Sequence, residues 1–227
     1  MNRLAMLTQL ARLIQEVHRP HPLRVAIDGV DAAGKTILAD ELAEQLHDSH
    51  RQIIRASVDE FHHPEAHRRK KGSLSPEGFY YDSYDYAAVK EKLLIPLGPD
   101  GNRQYIVAIH DIVSEKPVVS EIQTASDTAI LLMDGIFLLR PELLPWWDLT
   151  IYVHADFANT VPRGTARDAN LYGSRSRATE RYLERYVPGQ QLYLQQVRPL
   201  DKADILINNN DIESPEILHI KPGLQKE

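Results

Sequence analysis

Cysteine is absent from the 227 residues, which excludes disulfides, thiolate nucleophiles and cysteine-ligated zinc or iron–sulfur centres. Long apolar runs are absent too. Stretches such as Ala129–Met133 fall far short of the roughly 20 residues a membrane-spanning helix needs. Positive charge is not in excess: 26 Lys+Arg stand against 32 Asp+Glu, a formal net charge of −6. That balance argues against broad nucleic-acid binding while leaving room for a local basic pocket. Gln9, Arg12, Gln15 and Glu16 interrupt the N-terminal apolar positions before a signal-peptide core can form. No internal repeat or low-complexity tract is present. A cytoplasmic protein with neither a nucleic-acid nor a membrane partner is expected.

Apolar residues make up 43% and charged residues 26%, the balance of a folded globular chain. The length suits one large domain. Leu4, Leu7, Leu10, Ile14 and Val17 recur at helical spacing until His18-Arg-Pro-His-Pro stops them. The expected organisation is an N-terminal helix over 1–20 followed by a single domain over 21–227. The helix packs on the outside of that domain or serves a partner, so a homo-oligomer stays open.

Apolar strand patterns at Leu23–Ile27, Ile53–Val58, Ala129–Met133, Leu149–His154 and Asp204–Asn208 alternate with helical ones. The helices are expected from Lys35, over Tyr86–Leu97, over Asp156–Asn170 and over Thr179–Val197, the last broken at Pro188-Gly189. Such alternation predicts an α/β fold with three α/β/α layers around a mostly parallel sheet. Arg103–Thr124 reads as a small antiparallel insertion, with strands at Tyr105–Ile109 and Val118–Ile122.

Between the first strand and the next helix stands Gly29-Val-Asp31-Ala32-Ala33-Gly34-Lys35-Thr36. It is the phosphate-binding pattern G-x-x-x-x-G-K-[ST] in its strand–turn–helix setting, and chance alone would place the bare pattern in about one chain of this length in a hundred. Glycines let backbone N–H groups turn inward, and the helix N-terminus adds partial positive charge. Lys35 neutralises phosphate charge, and the Thr36 hydroxyl is a Mg²⁺ ligand. Asp134 ends an apolar strand and is either the second acid of the magnesium shell or a turn residue. Asp59 ends the second strand, whose carboxyl end faces the ligand crevice. There it is placed to accept a proton from an attacking hydroxyl or to orient it. Arg163, Arg167, Arg175 and Arg177 surround a Gly/Ser break and predict an arginine-rich lid over about 163–180.

These residues resemble the uridine kinase-like branch of P-loop kinases, to which phosphoribulokinase and bacterial pantothenate kinase are related. The likeness runs from about Leu23 to Asn210. It rests on Gly29–Thr36, Val58-Asp59-Glu-Phe-His62, Asp134-Gly-Ile-Phe, Arg167-Asp168, Arg175 and Arg177, and Ala203-Asp-Ile-Leu-Ile-Asn-Asn. It implies a P-loop NTPase fold and transfer of a phosphoryl group from ATP, with Mg²⁺, to the ribose 5′-hydroxyl of a nucleoside, uridine or cytidine first, with a kinase of another small alcohol or a non-kinase nucleotide switch or ATPase as the alternatives. Asp59 is then the catalytic base, Asp134 stands where many members have a Glu, Arg163 and Arg167 lie near the phosphates, and Arg175 and Arg177 fall in the lid.

The acceptor pocket departs from the family pattern. Tyr80-Tyr-Asp82-Ser-Tyr84-Asp85 lacks the first Asp of the usual ribose-binding stretch, which leaves Asp82 as a ribose ligand or a helix cap. His110 and Glu115 stand where the family carries a Tyr and a His against the base. His62 and Tyr84 are expected in the acceptor pocket, as are one or two of the clustered aromatics Phe79–Tyr86. The basic run Arg68–Lys71 reads as a solvated loop or an aid to substrate attraction. Asp201-Lys-Ala-Asp204 reads as a strand lead-in, which leaves no guanine selector.

Overall fold

A computed structural model describes residues 2–224. Its sheet contains β1 (Leu23–Gly29), β2 (Ile53–Ser57), β3 (Ile130–Gly135), β4 (Leu149–His154), β5 (Ile205–Asn208) and β6 (Glu216–Ile220), in the order β6-β5-β4-β1-β3-β2. All neighbours are parallel except β5 and β6. The fold is the expected three-layer α/β/α architecture.

The central strands are continuous apolar runs because both faces of a parallel sheet are covered. Successive side chains point to opposite faces. Val25, Ile27, Leu132 and Ile151 accordingly pack with α1 (Arg3–Glu16) and α2 (Lys35–Gln45), while Ala26, Leu131, Met133 and Tyr152 join the core on the other side. On that second face lie α3 (Pro76–Asp82), α4 (Tyr86–Val89) and the long C-terminal helix. The N-terminal helix buries Met6, Leu7, Leu10, Ala11, Leu13 and Ile14, so it shares the core of the domain that follows it. No helix among the described residues is long and apolar enough to cross a membrane.

Register brings the chemistry together. Ile27 lies opposite Asp134, Ser57 opposite Asp134, and Gly29 opposite Val153. The carboxyl ends of β1, β2, β3 and β4 thus form one edge, and the sheet order turns back at β1, where a ligand crevice belongs.

Three expectations are corrected. The insertion does not form two continuous strands: Gln104–Tyr105 pairs with Gln123–Thr124, and His110–Asp111 with Lys116–Pro117. Between those ladders, Ile106 N–H donates to Lys92 O (3.1 Å) and Ile109 N–H to Glu60 O (2.9 Å), so the domain takes the donors a longer hairpin would use. The helix is not broken at Pro188-Gly189. It runs from α6 (Arg175–Arg181) through a π turn at Tyr182–Tyr186 into α7 (Val187–Val197), with Pro188 in that segment's first turn. The wider turn displaces the carbonyl that a proline ring would strike. Finally, β6 was not foreseen. Its mostly exposed edge residues give neither an apolar run nor a clean alternation.

Candidate active site

The phosphate loop is shaped from the backbone upward. Gly29 approaches β4 so closely that a Cβ there would lie 2.4 Å from Val153 O. Gly34 adopts φ +95° at the N-cap of α2, a conformation that favours glycine. Lys35 is buried with its ammonium donating to Val30 O (2.8 Å), so it spans the loop. Thr36 Oγ1 donates to Asp134 Oδ2 (2.6 Å), joining the two residues expected at the magnesium shell. A hydroxyl beside a carboxylate is the hard-oxygen donor set that Mg²⁺ takes from a protein while phosphates and waters complete its octahedron. Arg55 was not anticipated. Its guanidinium donates to the other Asp134 oxygen (2.9 Å) and to Asp40 (2.9 Å). The available signal was an arginine at the centre of the short strand β2, between Ile54 and Ala56.

Three clefts touch this loop, one of them beside Thr36, Asp134 and Ser57, and the other two share Arg167. The first of those two, about 430 Å³, is lined by Ala32, Gly34, Lys35, Thr36, Ile37, Arg163, Arg167 and Ile212. Arg163, on α5 (Phe157–Arg167), donates to Asn209 O (3.2 Å) and Asn210 O (2.6 Å). Asn209 in turn donates from Nδ2 to Ala33 O (2.7 Å), tying the segment after β5 to the phosphate loop.

The second cleft, about 190 Å³, contains Asp31, Asp59, His62, Tyr84, Arg167 and Asp168, walled by Phe79, Ile112, Leu171, Tyr172, Tyr182 and Tyr186. Asp59 is the second residue of the 3₁₀ turn Val58–Phe61 that directly follows β2. It accepts from the Tyr84 hydroxyl (3.0 Å) at Oδ1 and from His62 Nδ1 (2.7 Å) at its carbonyl. The His62 and Tyr84 rings lie 4.5 Å apart. Burial lowers the His62 pKa and raises that of Tyr84, so the imidazole is neutral and the phenol stays a donor at neutral pH. Arg167 lines both clefts. Asp168 grips it through Oδ1 (2.7 Å) and Oδ2 (3.0 Å), and Tyr182 hydroxyl, itself donating to Asp168 (2.9 Å), accepts from it (3.2 Å). That grip keeps the guanidinium charged and raises its pKa.

Several expected site residues lie elsewhere. Asp82 is not in the second cleft. Its carboxylate meets Lys70 (3.1 Å) and Lys71 (2.9 Å), because the basic run folds onto the last turn of α3. Nor does it cap the next helix: Asp85 does, accepting from Ala88 N–H (2.9 Å). His110 does not line the cleft either. It is buried and bonded to Glu115 (3.2 Å), which also pairs with Arg68. Arg175 lies outside both clefts, and Arg177 lines a separate hollow with Ser73, Tyr172 and Arg181. Their place at the start of α6 directs them away from the phosphate loop in this conformation. Asp168, read in the sequence only as part of a motif, is the C-cap of α5, and the missed residues Tyr182 and Gln190 come from helical segments whose docking no local pattern specifies. Gln190 accepts from the Asp31 backbone N–H (2.6 Å).

Beneath the loop, Asp28 is fully buried and accepts from Tyr193 hydroxyl, Gly29 N–H (2.7 Å) and Leu139 N–H (3.1 Å). Burial outweighs these donors and pushes its carboxyl up to about 6, against 3.8 ordinarily. The folded chain therefore binds this proton more tightly than the unfolded one. The stabilisation from this group is full below its unfolded pKa and is lost as pH rises through about 6. Relative to Asp28→Asn, the wild type is expected to gain roughly 2 kcal/mol between about pH 7.5 and 4.5. Urea denaturation of both proteins at the two pH values checks this, and parallel pH trends would contradict it.

No protein-family model matches the sequence, and no curated protein matches it in sequence. Solved structures do resemble the fold. A possible uridine kinase from Bacillus stearothermophilus superposes with TM-score 0.70 at 20% identity, covering 89% of this chain and 98% of its own. A provisionally named fructose transport system kinase from Silicibacter sp. TM1040 gives 0.68 at 19% identity, covering 87% and 94%. D-glycerate 3-kinase from Cryptococcus neoformans gives 0.62 at 13% identity, covering 94% and 99%. The chain shares the fold of these structures, a three-layer α/β/α P-loop fold.

Proposed function

We propose that the chain is an ATP-dependent kinase that phosphorylates a hydroxyl of a small alcohol, with the 5′-hydroxyl of uridine or cytidine first among the candidates. The observation that carries this reading is Arg167, the one guanidinium lining both the phosphate-loop cleft and the Asp59 cleft. A switch protein or simple ATPase has no need of a second cleft meeting the first at a cation. The triphosphate is assigned to the first cleft, its charge met by loop N–H groups, Lys35 and Arg163. Thr36 and Asp134 would hold Mg²⁺, which supplies charge neutralisation at the phosphates. The acceptor hydroxyl attacks the γ-phosphorus from the second cleft, its proton passes to the Asp59 carboxylate, and ADP leaves. Arg167 balances charge on the transferring group.

A second reading, another small alcohol as acceptor, is favoured by one specific observation: Asp82 and His110, placed by likeness in the nucleoside pocket, do not line the cleft. ADP release measured over a panel of nucleosides and other alcohols tests both. Acceleration by uridine or cytidine supports the first reading, and acceleration only by another alcohol supports the second. Slow hydrolysis unchanged by every acceptor would refute the kinase assignment. Lys35→Ala is expected to weaken Mg·ATP binding about tenfold or more, since a charge-assisted hydrogen bond contributes about 1.5–3 kcal/mol. Calorimetric titration with a non-hydrolysable ATP analogue checks it.

A further inference from the structure

We propose that the acceptor cleft selects by charge: it takes neutral or cationic alcohols and refuses those that carry a carboxylate or phosphate. The inference rests on the kinase reading and narrows its substrate class. Three acids face the cleft, Asp31, Asp59 and Asp168, against one guanidinium, Arg167. That guanidinium is already held by both oxygens of Asp168. Asp31 and Asp59 make no ion pair among the described residues: Asp31 meets Gln190 Nε2 (3.4 Å) and Asp59 meets the Tyr84 hydroxyl.

Four of the cations nearby are committed elsewhere. Arg68 pairs with Glu115, and Lys35 lies across the phosphate loop. Arg181 lies over the Tyr172 and Tyr186 rings at 5.1 and 5.9 Å and donates to the Tyr186 hydroxyl (3.2 Å). Arg185 donates to Ser73 O and Ser75 O. His62 is buried, which disfavours its charged form. A bound triphosphate adds further negative charge at the cleft mouth. An anionic acceptor would therefore be desolvated beside two unpaired acids, with only Arg167, already held by Asp168, to receive it, and like-charge juxtaposition of this kind is strongly unfavourable. A cation would instead meet carboxylates and tyrosine rings, which attract it.

Matched pairs that differ by a carboxylate test the proposal in an ADP-release assay: uridine and orotidine, nicotinamide riboside and nicotinic acid riboside, pantothenol and pantothenate, glycerol and D-glycerate. In whichever pair is phosphorylated, the member without the carboxylate is expected to have kcat/KM higher by about 100-fold. Asp31→Asn is expected to narrow that ratio, which is the readout whatever happens to the absolute rate. Equal use of both members, or preference for the carboxylate, would overturn charge selection and leave the kinase reading intact. If no member of any pair accelerates ADP release, the kinase reading falls and charge selection falls with it.

Discussion

Asp59→Asn is expected to lower kcat by about 10³-fold while Mg·ATP binding stays within about twofold. The asymmetry follows from position. Asp59 lies in the second cleft, just after β2, and is absent from the lining of the phosphate-loop cleft. Asparagine can still accept from the Tyr84 hydroxyl through Oδ1, and the backbone carbonyl that receives His62 is unchanged. The local scaffold therefore survives, and what disappears is a carboxylate able to take a proton. Steady-state ADP release with saturating acceptor gives kcat, and calorimetric titration gives nucleotide affinity. Turnover near the wild-type value would remove Asp59 as base, while an equal loss of ATP affinity would relocate it to the nucleotide site.

The parts of the site legible in the sequence are those encoded within one short segment. Gly29–Thr36 specifies its own loop because backbone freedom at two glycines and a helix N-terminus suffice to build it. Asp59 and Asp134 were legible because each is the first acid after an apolar strand, and parallel register carries such residues to one edge. Thr36 and Asp134 then meet at 2.6 Å. What escaped depends on long-range docking. Arg55 meets Asp134 only because β2 pairs with β3. Tyr182 reaches Asp168 only because the helix beginning at Arg175 packs back on α5. Asp82 was misplaced for the same reason, since the residues that claim it, Lys70 and Lys71, looked like an independent solvated run. The π turn that absorbs Pro188 has no residue signature comparable to a glycine cap, and the insertion's donors were spent on partners far away in sequence.

Arg167→Met is expected to reduce kcat by about 10³-fold or more, the loss seen when a guanidinium at a transferring phosphoryl group is removed, with a much smaller effect on ATP affinity. Methionine keeps much of the length and apolar stem, so packing at the end of α5 is largely retained. Its cost is a released Asp168, whose carboxylate still accepts from the Tyr182 hydroxyl (2.9 Å). A purely structural role for the Arg167–Asp168 pair predicts something different: a lower melting temperature, with the remaining folded enzyme turning over normally. The two are separated by measuring kcat per folded molecule and by adding guanidinium ion to Arg167→Ala. Partial recovery of turnover at millimolar guanidinium, without recovery of thermal stability, is the expected result. Full activity in the folded fraction would show that this guanidinium braces the end of α5 and does not touch the transferring group.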